Sequence, residues 1–533
     1  MDPFKRSRLD YKIQNISMLA SDESVDPLTR AMTSIKKFNR MSESEVITPS
    51  KVCDEMVELL PKEGLKEIVD NQYKLLDIAS KSGEYAVSLY KKLIAVSLYK
   101  KLISEMGYSH NDVKDIIYAI PTSSIAYEFT RRFYEILNLN INNIAVNFNA
   151  YDLIEVKDGN DEVDYLRIND LLKQNKQFDE ITLEDSVNKG GNKVKFGAVV
   201  GNPPYQISDG GAQASAKPIY QHFVLLGKEL TSKYSCFITP TRWFAGGKGL
   251  DEFRDLMLND KTIKELHDFL TPEDVFPNTN NRGGVCYFIS DFQKRALDVK
   301  IVTHKNDKVV SSIDRPLLIE GVNIFIRDSF GVNILKKIFP NEVKNSLEEI
   351  ISSRKPFGLE GNFVNNANFK ESEAGLSNPI ICFGKGQKVG FVEENFITKN
   401  KEWIKDWKVY TPYANNIGTE LNDDNQNSFV GSPNSVCTET FLVIGVQLGL
   451  TELSAKNLSI YLKTKFARYL HSLCKVSQHG TKQTYKFVPM QDFNHDSDID
   501  WTKSISEIDE QLFEKYNLNE EEKEHIKSSI KDM

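Results

Sequence analysis

Six cysteines in 533 residues, Cys53, Cys236, Cys286, Cys382, Cys437 and Cys474, form no Cys-x-x-Cys pair. Such scatter fits neither a zinc ribbon nor a disulfide framework. The eight histidines are equally dispersed, so no metal is expected. Long apolar runs are missing too. No stretch approaches the ~20 residues of a membrane-spanning helix, and the N-terminus lacks the basic-then-apolar order of a secretory signal. The expectation is a cytoplasmic protein with no membrane partner. Positive charge is also in deficit, at a net −8, which on its face argues against a polyanion partner. Its distribution is uneven: residues 351–490 carry +4 and residues 491–533 carry −8. DNA binding is compatible with the basic region and repelled by the acidic tail. Neither a Walker-type glycine loop nor a nuclease carboxylate-lysine cluster is present.

What is there centres on Phe196-Gly197-Ala198-Val199-Val200-Gly201-Asn202-Pro203-Pro204-Tyr205. An apolar run with β-branched residues reads as a buried strand, and the two prolines stop it in a stiff, extended turn. The turn holds the Asn202 side-chain carbonyl and the Pro203 backbone carbonyl close together, with the Tyr205 ring beside them. A planar amine can donate to both acceptors while its ring stacks on the tyrosine.

Strand-then-Asn-Pro-Pro-Tyr resembles the catalytic motif of amino-methylating, S-adenosylmethionine-dependent methyltransferases, above all the DNA adenine enzymes. The same tetrapeptide occurs in enzymes that methylate guanine in RNA or a glutamine amide in protein. The motif therefore specifies a planar sp² nitrogen better than it specifies the polymer. The resemblance implies a catalytic set of Asn202, Pro203, Pro204 and Tyr205.

Upstream, Val46-Ile47-Thr48-Pro49-Ser50 precedes apolar residues at helical spacing, with Thr48 or Ser50 as cap and Pro49 near the first turn. Tyr73 to Ser80 reads as a strand that turns through Lys81-Ser82-Gly83 into a helix, a small-residue loop whose amides suit a polar ligand. The family's usual loop is Asp-Pro-Ala-Cys-Gly-x-Gly. This chain keeps Asp77, Ala79 and Gly83 and has Ile78 and Lys81 at the expected Pro and first Gly. A second strand, Asp115 to Ile120, ends in Pro121-Thr122-Ser123-Ser124, where the family has a ribose-binding acid. A third, Ile144 to Phe148, leads to Asp152 and Leu153, which match the family's acceptor for the cofactor adenine and a wall of its pocket. Carried over, the cofactor-binding residues are Thr48, Pro49, Asp77, Ala79, Ser80, Gly83, Asp152 and Leu153, and the cofactor is S-adenosylmethionine.

Residues 86–94 are repeated at once as 95–103. Nine residues turn a helix by about 900°, half a turn out of register, so one uninterrupted helix cannot bury both copies on one face. The repeat reads as a tandem duplication that perturbs the neighbouring cofactor pocket.

Strands alternating with helices predict an α/β fold, a doubly wound Rossmann-like methyltransferase sheet with ligands at the strand C-ends. A second, mixed α+β domain is expected behind it. The organisation reads as an N-terminal helical extension over 1–45, a methyltransferase domain over 46–300, a connector over 301–350, a target-recognition domain over 351–490 and an acidic helical tail over 491–533. With the cofactor loop first, Asn-Pro-Pro-Tyr after it and a further domain behind, the order resembles gamma-class adenine methylases of type II restriction-modification systems. In the second domain, basic residues interleave with aromatics and glycine turns, which suits phosphate contact and base packing. Candidates for double-stranded DNA are Lys385, Lys388, His479, Lys482, Tyr485 and Lys486. If the chain serves a restriction system, cleavage and translocation belong to a separate nuclease or translocase subunit. Two alternatives stay open: methylation of RNA or a protein amide, and a catalytically degenerate DNA-binding subunit.

Overall fold

The computed structural model describes residues 18, 21–22, 24–36, 46–93, 108–154, 168, 170–172, 195–206, 217–277, 283–414, 427–475 and 480–533. The chain divides into two compact units, Met1–Leu317 and Leu318–Met533.

In the first unit, helices α1 (Pro27–Lys36), α2 (Ser50–Glu58) and α3 (Lys62–Asp70) precede strand β1 (Leu75–Ser80). Then come α4 (Glu84–Leu93), β2 (Ile117–Pro121), α5 (Ser124–Leu137), β3 (Phe196–Gly201), α6 (Tyr220–Leu230), β4 (Thr231–Pro240) and α7 (Asp251–Leu258). Strands β5 (Ile263–Phe269), β6 (Val285–Asp291), β7 (Val299–Lys305) and β8 (Lys308–Arg315) finish the unit. All eight strands form one sheet in the order β2-β1-β3-β4-β6-β5-β7-β8. The β2-β1-β3-β4 half is parallel, β6 runs antiparallel to both β4 and β5, β7 is parallel to β5, and β8 closes the edge as an antiparallel hairpin.

Burial on both faces explains the uninterrupted apolar runs of β1 and β3, each buried along its whole length. Alternate residues take opposite faces. Ala198, Val200, Cys236 and Ile238 join the core under α1 to α5. Val199 and Phe237 point the other way onto α6, where a Cβ on Gly227 would stand 2.2 Å from the Phe237 ring. The sheet is thus doubly wound. Chain order reverses at β1, which sends β2 to one side and β3 to the other, so a crevice opens beyond the C-ends of β1 and β3. Both the Ser80–Gly83 turn and Asn202 follow directly from those ends.

Two expectations change here. Ile144 to Phe148 is not a strand: it makes a single parallel bridge, Ile144 to Ala119, and then turns out with Val146 and Asn147 exposed. Nor is 301–350 a connector. Its first part supplies β7 and β8, because alternating apolar residues in Val299-Lys300-Ile301-Val302 pair with β5 and extend the sheet. The rest belongs to the second unit, burying Val322, Ile326, Ile334 and Leu347 in its core. The first copy of the nonapeptide repeat lies mostly in α4, and the second copy lies outside the described residues.

The second unit is mixed α+β. Helix α8 (Ser329–Ile338) is followed by two three-stranded sheets. One joins β9 (Pro379–Phe383), β10 (Val389–Glu393) and β13 (Ser435–Cys437); the other joins β11 (Lys408–Pro412), β12 (Phe429–Gly431) and β14 (Phe441–Ile444). Helices α9 (Glu452–Tyr461), α10 (Lys465–Cys474), α11 (Ile505–Lys515) and α12 (Glu520–Ser529) close it. The acidic tail is part of this body: Trp501, Ile508, Leu512 and Ile526 are buried with α10 and α8 in one core.

Candidate active site

Three separated segments meet at the crevice. Thr48, ahead of α2, is fully buried, and its hydroxyl oxygen accepts a hydrogen bond from Asn202 Nδ2 at 3.0 Å. The Thr48 backbone N–H donates to Glu84 Oε1 at 3.4 Å. Glu84, the first residue of α4, turns its other oxygen back to accept from the Ser82 N–H at 2.9 Å and the Ser82 hydroxyl at 3.0 Å. An acid in the first turn of a helix is also favoured by the helix dipole.

The amide of Asn202 is used on one side only. Asn202 is 2% exposed, and its Oδ1 is buried with no hydrogen-bond partner among the described residues. An orphaned buried carbonyl of this kind costs roughly 1–3 kcal/mol, which a donor arriving from a ligand offsets. Gly201 just before it is required by close approach, since a Cβ there would lie 3.0 Å from Ile78 Cγ2. Tyr205, three residues on, packs edge-on against Tyr220 (6.3 Å between centroids) and Phe276 (6.5 Å). Its hydroxyl is buried with no hydrogen-bond partner among the described residues.

Asp77, on β1, is fully buried, and neither carboxylate oxygen makes a hydrogen bond that satisfies it. Burial first, then the Glu84 carboxylate, push its pKa well above the ordinary aspartate value, against smaller opposing effects of Ser80, the Ala79 amide and Lys81. An unpaired buried carboxylate is a receptor for a cation or a pair of donors.

The Lys81-Ser82-Gly83 turn closes on itself. The Gly83 N–H donates to Ser80 Oγ at 3.0 Å, and the Ser82 N–H is held by Glu84. Ser80 also meets Thr130 of α5 at 3.0 Å, which makes it an organiser of the turn. Gly83 has φ +75°, a conformation that favours glycine. Pro49 is the N-cap of α2. At the end of β2, Ser123 caps α5 by accepting from the Ala126 N–H. Asp152 lies in a 3₁₀ turn, where one oxygen accepts from the Asn149 N–H at 2.8 Å, and Leu153 beside it is buried. Sequence reading missed Glu84, Ser82 and Tyr220; the Ser-x-Glu pattern across a helix start was the available signal for the first two.

In the second unit Lys385 and Lys388 are exposed on the β9–β10 hairpin, with Lys388 Nζ 3.4 Å from Asn365 Oδ1. Lys482 is exposed, and Lys486 donates to Asn323 Oδ1 at 2.9 Å. Tyr485 is a correction. Its ring is buried, 4.2 Å from His471, and its hydroxyl meets Thr411, so core packing claims the face that base stacking would need. His479 lies outside the described residues.

With this geometry in hand, the chain can be set beside known proteins. Residues 115–276 match the model of the Eco57I restriction-modification methylase family. An "Uncharacterized adenine-specific methylase" of Mycoplasma pneumoniae (strain ATCC 29342 / M129 / Subtype 1) is 32% identical over 169 residues, which is 29% of this chain and 40% of that protein. Among solved structures, the type I restriction-modification methyltransferase subunit from Streptococcus thermophilus aligns at 16% identity over 56% of this chain and 54% of its own, with a TM-score of 0.33. A nuclease-deletion mutant of the type ISP enzyme LlaGI, solved with a DNA substrate mimic, aligns at 12% identity over 83% of this chain and 46% of its own, with a TM-score of 0.45.

Proposed function

We propose that the chain is an S-adenosylmethionine-dependent DNA methyltransferase that acts on the exocyclic N6 amine of adenine within a restriction-modification or related defence system. The observation that carries this reading is the Asn202 amide, whose NH₂ is tied to Thr48 while its carbonyl is left buried and unpartnered beside Tyr205. That is an acceptor awaiting an amine. The family match over residues 115–276 includes Asn202 and Tyr205 and supports the same reading.

An adenine amine lies inside the duplex, so the base must be flipped out to reach such a pocket. Tyr205 offers a ring face, and Asn202 Oδ1 with the Pro203 carbonyl accepts the two amine protons. Those bonds raise electron density on nitrogen as it becomes tetrahedral, so the residues act by positioning and electrostatics and no general base is assigned. The cofactor, when bound, supplies an electrophilic methyl on a cationic sulfur. Asp77 fits it, because neither of its buried oxygens has a hydrogen-bond partner in good geometry among the described residues. Pro49, Ala79, Ser80, Gly83, Asp152 and Leu153 complete the proposed cofactor set. Exposed Lys385, Lys388 and Lys482 and the partly buried Lys486 are the proposed DNA phosphate contacts.

One observation favours a second reading, a degenerate DNA-binding subunit: the Ser82 and Gly83 amides are already satisfied by the loop's own side chains. Labelled-methyl transfer assays on duplex DNA, RNA and protein, with Asn202→Ala beside the wild type, separate the possibilities. Transfer to DNA adenine that Asn202→Ala abolishes, with cofactor binding retained, is the expected result. Full activity of Asn202→Ala overturns the mechanism, and DNA binding without cofactor binding selects the degenerate subunit.

A further inference from the structure

We infer that Thr48 is a positioning residue that orients the Asn202 amide, and that it does not itself contact the cofactor. The inference rests on the methyl-transfer reading and departs from the cofactor role that the family pattern gives Thr48. A side-chain amide can present either its oxygen or its nitrogen to a hydroxyl, because a hydroxyl both donates and accepts. In this fold the Thr48 hydroxyl oxygen faces Asn202 Nδ2 at 3.0 Å and accepts from it. Tyr85 sends its own proton to the Met56 sulfur at 3.3 Å, so it does not compete for that oxygen. The Asn202 oxygen is thereby turned the opposite way and remains without a partner.

Thr48 is in turn anchored through its backbone. Its N–H reaches Glu84, and its carbonyl accepts a weak bond from Cys53 Sγ at 3.7 Å. Glu84 also holds the Ser82 amide, so the turn after β1 and the acceptor after β3 share one chain of hydrogen bonds. Every side chain in that chain is buried, which removes water as a substitute partner.

Two substitutions test the assignment in the full-length protein. Thr48→Val keeps the shape and removes the hydroxyl; Thr48→Ser keeps the hydroxyl. Loss of an orienting bond lowers turnover more than binding. The expected result is that Thr48→Val lowers kcat by about 10- to 100-fold with KM for S-adenosylmethionine changed by less than about threefold, and that Thr48→Ser restores kcat to within about threefold. A raised KM with unchanged kcat would instead make Thr48 a cofactor contact and overturn the inference. A second readout is independent of activity. In protein labelled with ¹⁵N-asparagine, the Nδ2 resonance of Asn202, identified by its disappearance in Asn202→Ala, should exchange slowly in wild type and Thr48→Ser and quickly in Thr48→Val. Unchanged exchange in Thr48→Val overturns the bond itself. Should the wild type methylate no polymer, the methyl-transfer reading fails while this exchange still decides how Asn202 is held.

Discussion

Asp77→Asn should stabilise the first unit and weaken cofactor binding together. The wild-type carboxylate is fully buried with two unsatisfied oxygens, and burial plus the Glu84 charge raise its pKa well above 3.8 in the folded state. The sign follows from linkage. A raised folded-state pKa means that the native protein holds a proton that the unfolded chain has released. That stabilisation is fully present below pH 3.8 and is lost as pH rises toward the folded value. Across that window the loss is about 1.4 kcal/mol per pH unit for one proton. Each pH unit inside that window is worth about 3 °C in Tm for a body of this size. The neutral amide has no such slope, so the Tm difference, variant minus wild type, should grow with pH. Thermal unfolding of both proteins at half-unit intervals from pH 5 to pH 8 measures it. Parallel curves would refute the placement of an unpaired, buried Asp77 carboxyl. With S-adenosylmethionine the order should invert, because losing a charge-assisted partner costs about 1.5–3 kcal/mol, a 10- to 150-fold rise in Kd. The wild type should also bind more tightly as pH rises, since a cationic ligand favours the ionised carboxylate.

Two further expectations concern the second unit. Asp509 accepts the Lys465 and Phe466 N–H groups at the start of α10, yet burial pushes its pKa up to about 6. The stabilisation it confers is complete below pH 3.8 and gone above pH 6, about 3 kcal/mol; urea midpoints followed by tryptophan fluorescence should fall over that range in wild type and not in Asp509→Asn. Replacing Lys385 and Lys388 together by Ala should cut the slope of log affinity for duplex DNA against log salt by about 2 with Tm unchanged. Tyr485→Phe, which loses the bond to Thr411, should instead cost about 1 kcal/mol of stability and leave DNA binding alone. An affinity loss in Tyr485→Phe would contradict its place in the core.

The parts legible in the sequence were those written locally. The strand before Asn202 was found with its observed bounds because two prolines punctuate an apolar run, and chemistry at the end of β3 follows from that stop. Alternating strands and helices gave the parallel half of the sheet. The antiparallel half was harder: Ile263-Lys264-Glu265-Leu266-His267 mixes charge into its run because one face is only partly covered, so its period-2 signal is weak. Tyr485 misled for the opposite reason. A tyrosine flanked by lysines looks like a surface contact, and only the tertiary neighbours His471 and Thr411 show that its ring is enclosed. Glu84 was invisible as a site residue because its partners, Thr48 and Ser82, lie 36 and 2 residues away and serve different strand ends.

That last pairing bears on why the turn after β1 departs from its usual composition. Where the pattern this turn resembles has proline at 78 and glycine at 81, this chain has Ile78 and Lys81. Here Ile78 fills the space under Gly201, and Ser80, Ser82 and Glu84 bind the turn from within. The turn is therefore held by side chains that also reach Asn202 through Thr48. A turn built in this way couples two things. Whatever displaces Glu84 from the Ser82 amide also loosens Thr48, and with it the direction of the Asn202 carbonyl. The Ser82 turn and the Asn202 amide are then linked through one buried carboxylate, so a displacement at the end of β1 reaches the end of β3.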